Sequence, residues 1–373
     1  MKLISKIKKI RHNVYIEFFR HTPLQENKII LWANGFKQYG CSPKYITEYI
    51  LCNYPSKFDL VWVFEPGTII PKGLDKRVRI VYYFSIEYLK ELHTAKFVIC
   101  NMRTGDAHYW KKRPQQIYIQ TWHSSLRLKK IEGDAAKQFT EEYINACKED
   151  SKKIDILISG CKFSTEIFKR AFWYDGMILE CGTPRCDVFF NNTESIRNLN
   201  IPFDKKVILY APTFRSNKPS DFLGMDFKRL KETLGNEWVV GARIHPNVLD
   251  SVVPEGAIPM STYSDMQELI AAADILITDF SSCMFDMAIA GKPCILYAPD
   301  LEEYLEKERG LYFKIKELPF LIARDMDELC KMLLEFDCRN YYRQLDKFMS
   351  KIGSFEDGHA AERVFEIICE NVK

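Results

Sequence analysis

Short apolar runs rich in β-branched and aromatic residues alternate along this chain with longer stretches of helical spacing, and that alternation limits the folds open to it. The runs are Ile29–Trp32, Leu60–Phe64, Val78–Tyr83, Phe97–Cys100, Ile117–Thr121 and Ile154–Ser159, followed by Val207–Ala211, Trp238–Ile244, Asp274–Thr278 and Pro293–Tyr297. Between them lie the helical patterns Ala135–Asp150, Thr165–Trp173, Phe227–Leu234 and Ser282–Ala290. Strands separated by helices build parallel sheets from βαβ units, so the fold class is α/β. A polar, turn-prone stretch at Phe189–Pro202, with Asn191, Asn192, Asn198 and Asn200, precedes a fresh strand. It divides the 373 residues into two Rossmann-like halves, 1–190 and 191–373, with the helices after about residue 340 as candidates to cross back.

What is missing narrows the chemistry. The Gly-x-Gly-x-x-Gly fingerprint, a Walker A loop and a Gly-x-Ser-x-Gly elbow are all absent, which argues against nicotinamide, flavin, P-loop and α/β-hydrolase chemistry. Twelve cysteines run from Cys41 to Cys369 without a Cys-x-x-Cys pair; the closest two, Cys181 and Cys186, have four residues between them. They read as reduced structural thiols, and neither a zinc site nor a cofactor is expected. A net charge of +3 gives no basis for a nucleic-acid partner.

Three segments at strand ends carry residues suited to chemistry. The first is Gln120-Thr121-Trp122-His123-Ser124-Ser125-Leu126, where His123 can take a proton from a hydroxyl near neutral pH and the serines can donate to phosphate oxygens. A structural hydrogen bond is the alternative role for such a loop histidine. The second is Gly241-Ala242-Arg243-Ile244-His245-Pro246. Strand alternation puts Arg243 and His245 on one face, a guanidinium beside an imidazole, which suits a diphosphate. An internal ion pair for Arg243 is the competing reading. The third is Asp279-Phe280-Ser281-Ser282-Cys283-Met284-Phe285-Asp286, a strand end opening a helix, where serines and free N–H groups favour an anion. Asp286 falls one turn beyond Ser282 on the same helix face. Simple capping would also account for Ser281, and Met284, Met287 and Ala288 read as packing residues. Tyr210-Ala211-Pro212-Thr213-Phe214-Arg215 ends the first strand of the second half, and Gly182-Thr183-Pro184-Arg185-Cys186-Asp187 ends the first half. Either is an ordinary turn or a phosphate-facing loop.

Taken in order, these segments, together with Ser164 through Phe168 and Gly291-Lys292-Pro293, resemble the CDP-glycerol glycerophosphotransferase family of teichoic acid and capsule polyol-phosphate primases and polymerases. The resemblance covers about residues 117–300. It implies a GT-B-type fold, two Rossmann-like domains with parallel sheets facing across a cleft, the N-terminal one on the acceptor side and the C-terminal one binding the donor. It implies cleavage of CDP-glycerol at the phosphate nearer glycerol, giving a phosphodiester on a lipid-linked polymer and releasing CMP. His123 then matches the base that activates the acceptor hydroxyl, and His245 a second essential histidine. Trp122, Arg185, Pro212, Thr213, Arg243, Ser281, Ser282 and Asp286 match donor contacts, with Ser124 and Ser125 beside them. The family often reads Trp-His-Gly-Thr-Pro-Leu-Lys where this chain has serines, so Ser124 adds a Cβ where glycine lets a ligand approach the backbone. CDP-ribitol is the alternative donor. A GT-B glycosyltransferase or epimerase using a UDP-sugar, and a catalytically silent partner, are the competing classes.

The N-terminus bears on location. Leu3, Ile7, Ile10, Val14 and Phe18 recur at helical steps, flanked by Lys2, Lys6 and Lys9. This reads as a basic amphipathic helix on an anionic membrane surface, with packing on the first domain as the alternative. No apolar run spans a bilayer and no cleavable signal pattern is present, so the expected location is the cytoplasmic face of the membrane, peripherally attached.

Overall fold

In a computed structural model the described residues are 2–104, 110–190, 201–202, 204–213, 224–244, 255–307 and 310–372, with side chains from residue 11 onward. They form two compact α/β units. One comprises Met1–His123, Ile131–Asp187 and Phe355–Lys373, and the other Ser124–Lys130 and Val188–Ser354.

The first unit is built on a seven-stranded sheet: β1 (Gln25–Trp32), β2 (Asp59–Phe64), β3 (Arg79–Tyr82), β4 (Ala95–Cys100), β5 (Ile117–Gln120), β6 (Ile156–Ser159) and β7 (Met177–Glu180). Its order is β3-β2-β1-β4-β5-β6-β7 and every pairing is parallel. The second carries a six-stranded sheet of β8 (Lys206–Tyr210), β9 (Trp238–Ala242), β10 (Ile258–Pro259), β11 (Ile275–Thr278), β12 (Cys294–Tyr297) and β13 (Leu321–Ala323). Its order is β10-β9-β8-β11-β12-β13, again all parallel. Helices cover both faces of such sheets, so the interior strands are rich in apolar residues; β4, β6, β11 and β12 are buried at every position.

Each core follows from that pattern. In the first unit Ile29, Leu31, Trp62, Phe64, Phe97 and Ile99 pack with Val364, Phe365 and Ile368 of the helix Ala360–Glu370. In the second, Ile208, Tyr210, Val240, Ile277 and Ile295 meet Phe227, Leu230 and Leu329. Helix starts are capped by short polar side chains: Ser85 accepts from Tyr88 N, Thr140 from Tyr143 N and Asp226 from Arg229 N.

One helical reading needs correction. The pattern over Ala135–Asp150 is a 3-10 turn, Glu132–Gln138, and a separate helix, Glu141–Ser151; Thr140 caps the second and so ends continuity with the first. The late helices are Cys338–Ile352 and Ala360–Glu370, the first closed by Gly353 at φ 63°.

In the N-terminal helix, Lys2–Arg20, one set of side chains packs on the first unit and another faces outward. His12, Ile16 and Phe19 are buried, with His12 edge-on to Phe84 at 4.6 Å. Val14 and Phe18 of the predicted stripe are 63% and 64% exposed, whereas the Leu3, Ile7 and Ile10 side chains lie outside the described residues. Among the described residues no helix is long and apolar enough to cross a membrane.

Candidate functional site

In each unit the candidate residues follow C-terminal strand ends, where open parallel sheets bind ligands beside the point at which strand order reverses. That reversal lies between β1 and β4 in the first unit and between β8 and β11 in the second.

In the first unit the chain leaves β5 through a turn built by Gln120. Its side-chain oxygen accepts the Trp122 N–H at 2.9 Å, while its amide nitrogen donates to the Met102 carbonyl at 2.9 Å and the Tyr118 hydroxyl at 2.7 Å. These contacts hold Trp122 at φ 52°, a conformation that a bulky residue adopts only where its surroundings compel it. The Trp122 ring is buried, edge-on to Phe172 at 4.8 Å and 4.3 Å from the His123 ring. Trp122 thus braces the histidine. His123 is half-buried, and its Nδ1 lies 3.3 Å from the Asn101 carbonyl oxygen. A carbonyl can only accept, so Nδ1 carries the proton and the lone pair sits on Nε2.

Arg185, in the 3-10 turn Pro184–Phe189, is buried and donates from Nη1 to the carbonyl oxygen of His123. Its loop is anchored by the last helical segment. Glu356 accepts from both Thr183 N (2.9 Å) and Thr183 Oγ1 (2.7 Å), and Asp187 accepts from Ala360 N (3.0 Å) and Ala361 N (2.7 Å). Burial pushes the Asp187 carboxyl up to about 6 despite those two N–H donors. Gly182 at φ 85° opens the turn, and a Cβ there would approach Glu356 Oε2 at 3.1 Å.

Ser124 and Ser125 are buried in the segment that clusters with the second unit. Arg127 Nη2 donates to the Ser124 carbonyl at 3.2 Å, Lys130 N to the Gly310 carbonyl at 2.9 Å, and Tyr312 N to the Leu128 carbonyl at 2.8 Å. Lys129 lies over the Tyr304 ring at 5.3 Å, and Tyr304 stacks on Phe280 at 3.7 Å.

Around β8 and β11 of the second unit, three predicted segments come together. Thr278 Oγ1 donates to the Ala211 carbonyl at 2.6 Å, which ties the two strand ends. Asp279, fully buried, accepts from both the N–H (2.8 Å) and the hydroxyl (2.6 Å) of Thr213, the residue after Pro212. Arg243 N donates to the Tyr210 carbonyl at 2.8 Å, and its guanidinium donates to the Tyr263 carbonyl. Burial holds the Arg243 pKa below its ordinary value, and the Asp265 carboxylate opposes that shift. A cation deprived of water in this way gains from a bound anion. Ser281 Oγ accepts the Cys283 N–H at 3.5 Å, whereas Ser282 stands at the start of the helix Cys283–Ile289 without a side-chain capping bond. Asp286 is buried in that helix and accepts from Gln267 Nε2 at 3.4 Å; Met284, Met287 and Ala288 are buried packing residues. His245, with Phe214, Arg215 and Pro246, lies outside the described residues. No group of three or more His, Cys, Asp or Glu able to hold a metal ion occurs among the described residues.

The sequence profile of CDP-Glycerol:Poly(glycerophosphate) glycerophosphotransferases matches residues 14–370. The chain belongs to this family. It is 35% identical over 373 residues to the teichoic acid poly(glycerol phosphate) polymerase of Staphylococcus epidermidis, covering 92% of this chain and 51% of that one. It is 33% identical over 393 residues to the teichoic acid glycerol-phosphate transferase of Staphylococcus aureus, covering 98% of this chain and 99% of that protein. The solved structure of the wall teichoic acid polymerase TagF superposes with a TM-score of 0.86 at 32% identity, over 99% of this chain and 95% of that one. The fold is of the GT-B type, as the family resemblance implied. The chain spans about half the length of the curated poly(glycerol phosphate) polymerases it matches first, 51% and 53%.

Residues that sequence reading missed are the supporting ones. Gln120 and Asp279 stood inside quoted motifs without assigned roles, and Asn101, whose carbonyl receives His123, lay in no motif at all.

Proposed function

We propose that this chain transfers glycerol phosphate from CDP-glycerol to a hydroxyl of a membrane-linked teichoic-acid-like or capsular polymer, releasing CMP. The observation that carries the reading is the 3.3 Å contact of His123 Nδ1 with the Asn101 carbonyl, which places the proton on Nδ1 and leaves Nε2 suited to a general base. The acceptor oxygen attacks the phosphorus that bears glycerol, and its proton passes to His123. The bond from that phosphorus to the bridging oxygen breaks, and CMP leaves with the electron pair. Arg243 and the Ser281–Ser282 strand end supply positive charge and donors for the diphosphate, as backbone N–H groups and guanidinium do at other anion sites. Gln120, Trp122 and Arg185 keep the base in place. The likeness to the glycerol-phosphate transferase over nearly the whole of both chains supports this assignment of substrate class.

Attachment to an anionic membrane surface is part of the same proposal. Val14 and Phe18 supply exposed apolar contact on a helix whose other face is anchored in the first unit.

The test is release of CMP by purified protein given CDP-glycerol and a membrane extract, with CDP-ribitol and UDP-sugars as parallel donors. His123→Ala should lower turnover by about 10²–10⁴-fold while CDP-glycerol still binds. Equal loss of binding and turnover would make His123 a donor ligand, and release of UDP from a UDP-sugar would replace the reaction class.

A further inference from the structure

The turn after β1 is unusual in its backbone. Ala33 bridges to Gln38, and the residues enclosed begin with Asn34, Gly35 and Phe36 at φ 49°, 63° and 68°. Glycine and asparagine tolerate left-handed geometry, but for an ordinary L-residue such as Phe36 it is disfavoured by about 1–2 kcal/mol and persists only under local restraint. Phe36 is restrained by stacking on Tyr83 at 4.3 Å and by its carbonyl, which accepts the Glu65 N–H at 2.8 Å. Asn34 is restrained by Asn101, at the end of the neighbouring strand β4.

The two asparagines form a reciprocal pair. Asn34 N donates to Asn101 Oδ1 at 2.9 Å, and Asn101 Nδ2 donates to Asn34 Oδ1 at 2.8 Å. Asn34 Nδ2 donates in turn to Gln38 Oε1 at 2.5 Å. Asn101 has no exposed surface, and both ends of its amide are engaged, so its conformation is set. Its own carbonyl then has a fixed direction, and that carbonyl is the one which accepts from His123 Nδ1. Three adjacent strand ends, of β1, β4 and β5, are thereby linked in one line of hydrogen bonds that ends on the imidazole.

We propose that Asn34 and Asn101 are positioning residues that hold His123 in the Nδ1–H tautomer and aim its Nε2. This rests on the reading of His123 as the base. The asparagine pair touches no reacting atom in the proposal; it acts through the histidine. A pair that only buttressed the turn would affect stability and leave the imidazole's protonated nitrogen unchanged.

The clean variants are Asn101→Ala, which keeps the backbone carbonyl but removes its clamp, and Asn34→Gly, which keeps the left-handed turn and the backbone N–H while deleting the side-chain amide. With purified full-length protein, each should lower kcat for CMP release by about tenfold to a hundredfold, the scale expected for a misplaced catalytic group. KM for CDP-glycerol should stay within about twofold, since donor contacts are untouched. Asn34→Asp keeps an oxygen acceptor for Asn101 Nδ2 and tolerates the left-handed region, so it should recover most of the rate. The double variant should be no slower than Asn101→Ala alone, because both act on one linkage. Nitrogen NMR of isotope-labelled histidine, with the His123 signal identified by its loss in His123→Ala, should show Nδ1–H in the native protein and a tautomer mixture in Asn101→Ala.

Folded variants with native kcat, or an unchanged tautomer in Asn101→Ala, overturn the proposal. Should Asn101→Ala fail to fold, Asn34→Gly decides it by the same rate and NMR readouts. Full turnover in His123→Ala would instead remove the base itself, whereas an inactive His123→Ala beside fully active asparagine variants would sink this inference alone.

Discussion

Replacing Arg103 by methionine should cost the first unit about 3–5 kcal/mol, although Arg103 belongs to no motif. Its Nη2 lies 3.2 Å from Glu132 and its Nη1 3.5 Å from Asp150, with both carboxylates almost fully buried. The guanidinium also donates to Ser151 Oγ at 2.8 Å and lies over the Phe172 ring at 3.9 Å. Burial pulls the Arg103 pKa down, yet Glu132 and Asp150 together hold it above the ordinary arginine value. Methionine keeps much of the bulk and removes the charge, leaving two buried carboxylates with neutral partners such as the hydroxyls of Tyr143 and Thr104. Breaking a buried ion pair from one side costs about 3–5 kcal/mol. At roughly 2–4 °C per kcal/mol for a unit of this size, the melting temperature should fall by about 10 °C. Circular dichroism melts and urea titrations of the full chain measure it. Neutralising the partners as well, with Glu132→Gln and Asp150→Asn, should restore part of the loss, because the uncompensated charges are then gone. An Arg103→Met protein that melts within about 2 °C of the native one would refute this account of the cluster.

Three further outcomes follow from individual side chains. Arg243→Ala should weaken CDP-glycerol binding by roughly 10–100-fold in calorimetric titration, the scale of a lost charged hydrogen bond, and Arg243→Lys should recover only part of it; native affinity in the alanine variant would remove Arg243 from the site. Burial lowers the His93 pKa from 6.5 to about 4, so the unfolded chain takes up the proton first: its contribution, about 3 kcal/mol, is present above pH 6.5 and lost as pH falls toward 4. His93→Leu should flatten that part of the stability–pH curve, and an unchanged slope would show that His93 is not its source. Substituting Val14 and Phe18 together by serine should reduce sedimentation with anionic vesicles by about tenfold or more while leaving the melting temperature nearly unchanged, since both side chains are exposed; undiminished binding would move the membrane contact elsewhere.

How much of this was legible in advance depended on where a residue sits relative to water. Interior strands such as β4 and β11 are buried on both faces and appear in sequence as nearly continuous apolar runs. The strands that escaped notice, β7, β10 and β13, are all sheet edges with exposed or partly exposed positions, so solvent interrupts the apolar signal. At the site, His123 and Arg243 stand out because their chemistry belongs to their own side chains and they follow clear strands. Asn101 and Asp279 act by gripping partners 67 and 66 residues away, and nothing local in the sequence marks such a bond. The helix break at Thr140 was missed for a different reason: helical spacing continues across the cap, and only the hydrogen bond to Tyr143 N shows that a new helix begins there.

The helix Ala360–Glu370 has a consequence for the order in which the molecule is made. Val364, Phe365 and Ile368 fill the core of the first unit, and Asp187 caps the helix that bears them. A chain leaving the ribosome therefore displays nearly all of its first sheet before the piece that seals it has been synthesised. The second unit, complete at Ser354, has every residue of its own core available earlier. Vectorial synthesis thus reverses the usual precedence of N-terminal over C-terminal units: the unit begun first is the one finished last, and until then the groove awaiting Phe365 is open to whatever apolar surface, or chaperone, reaches it.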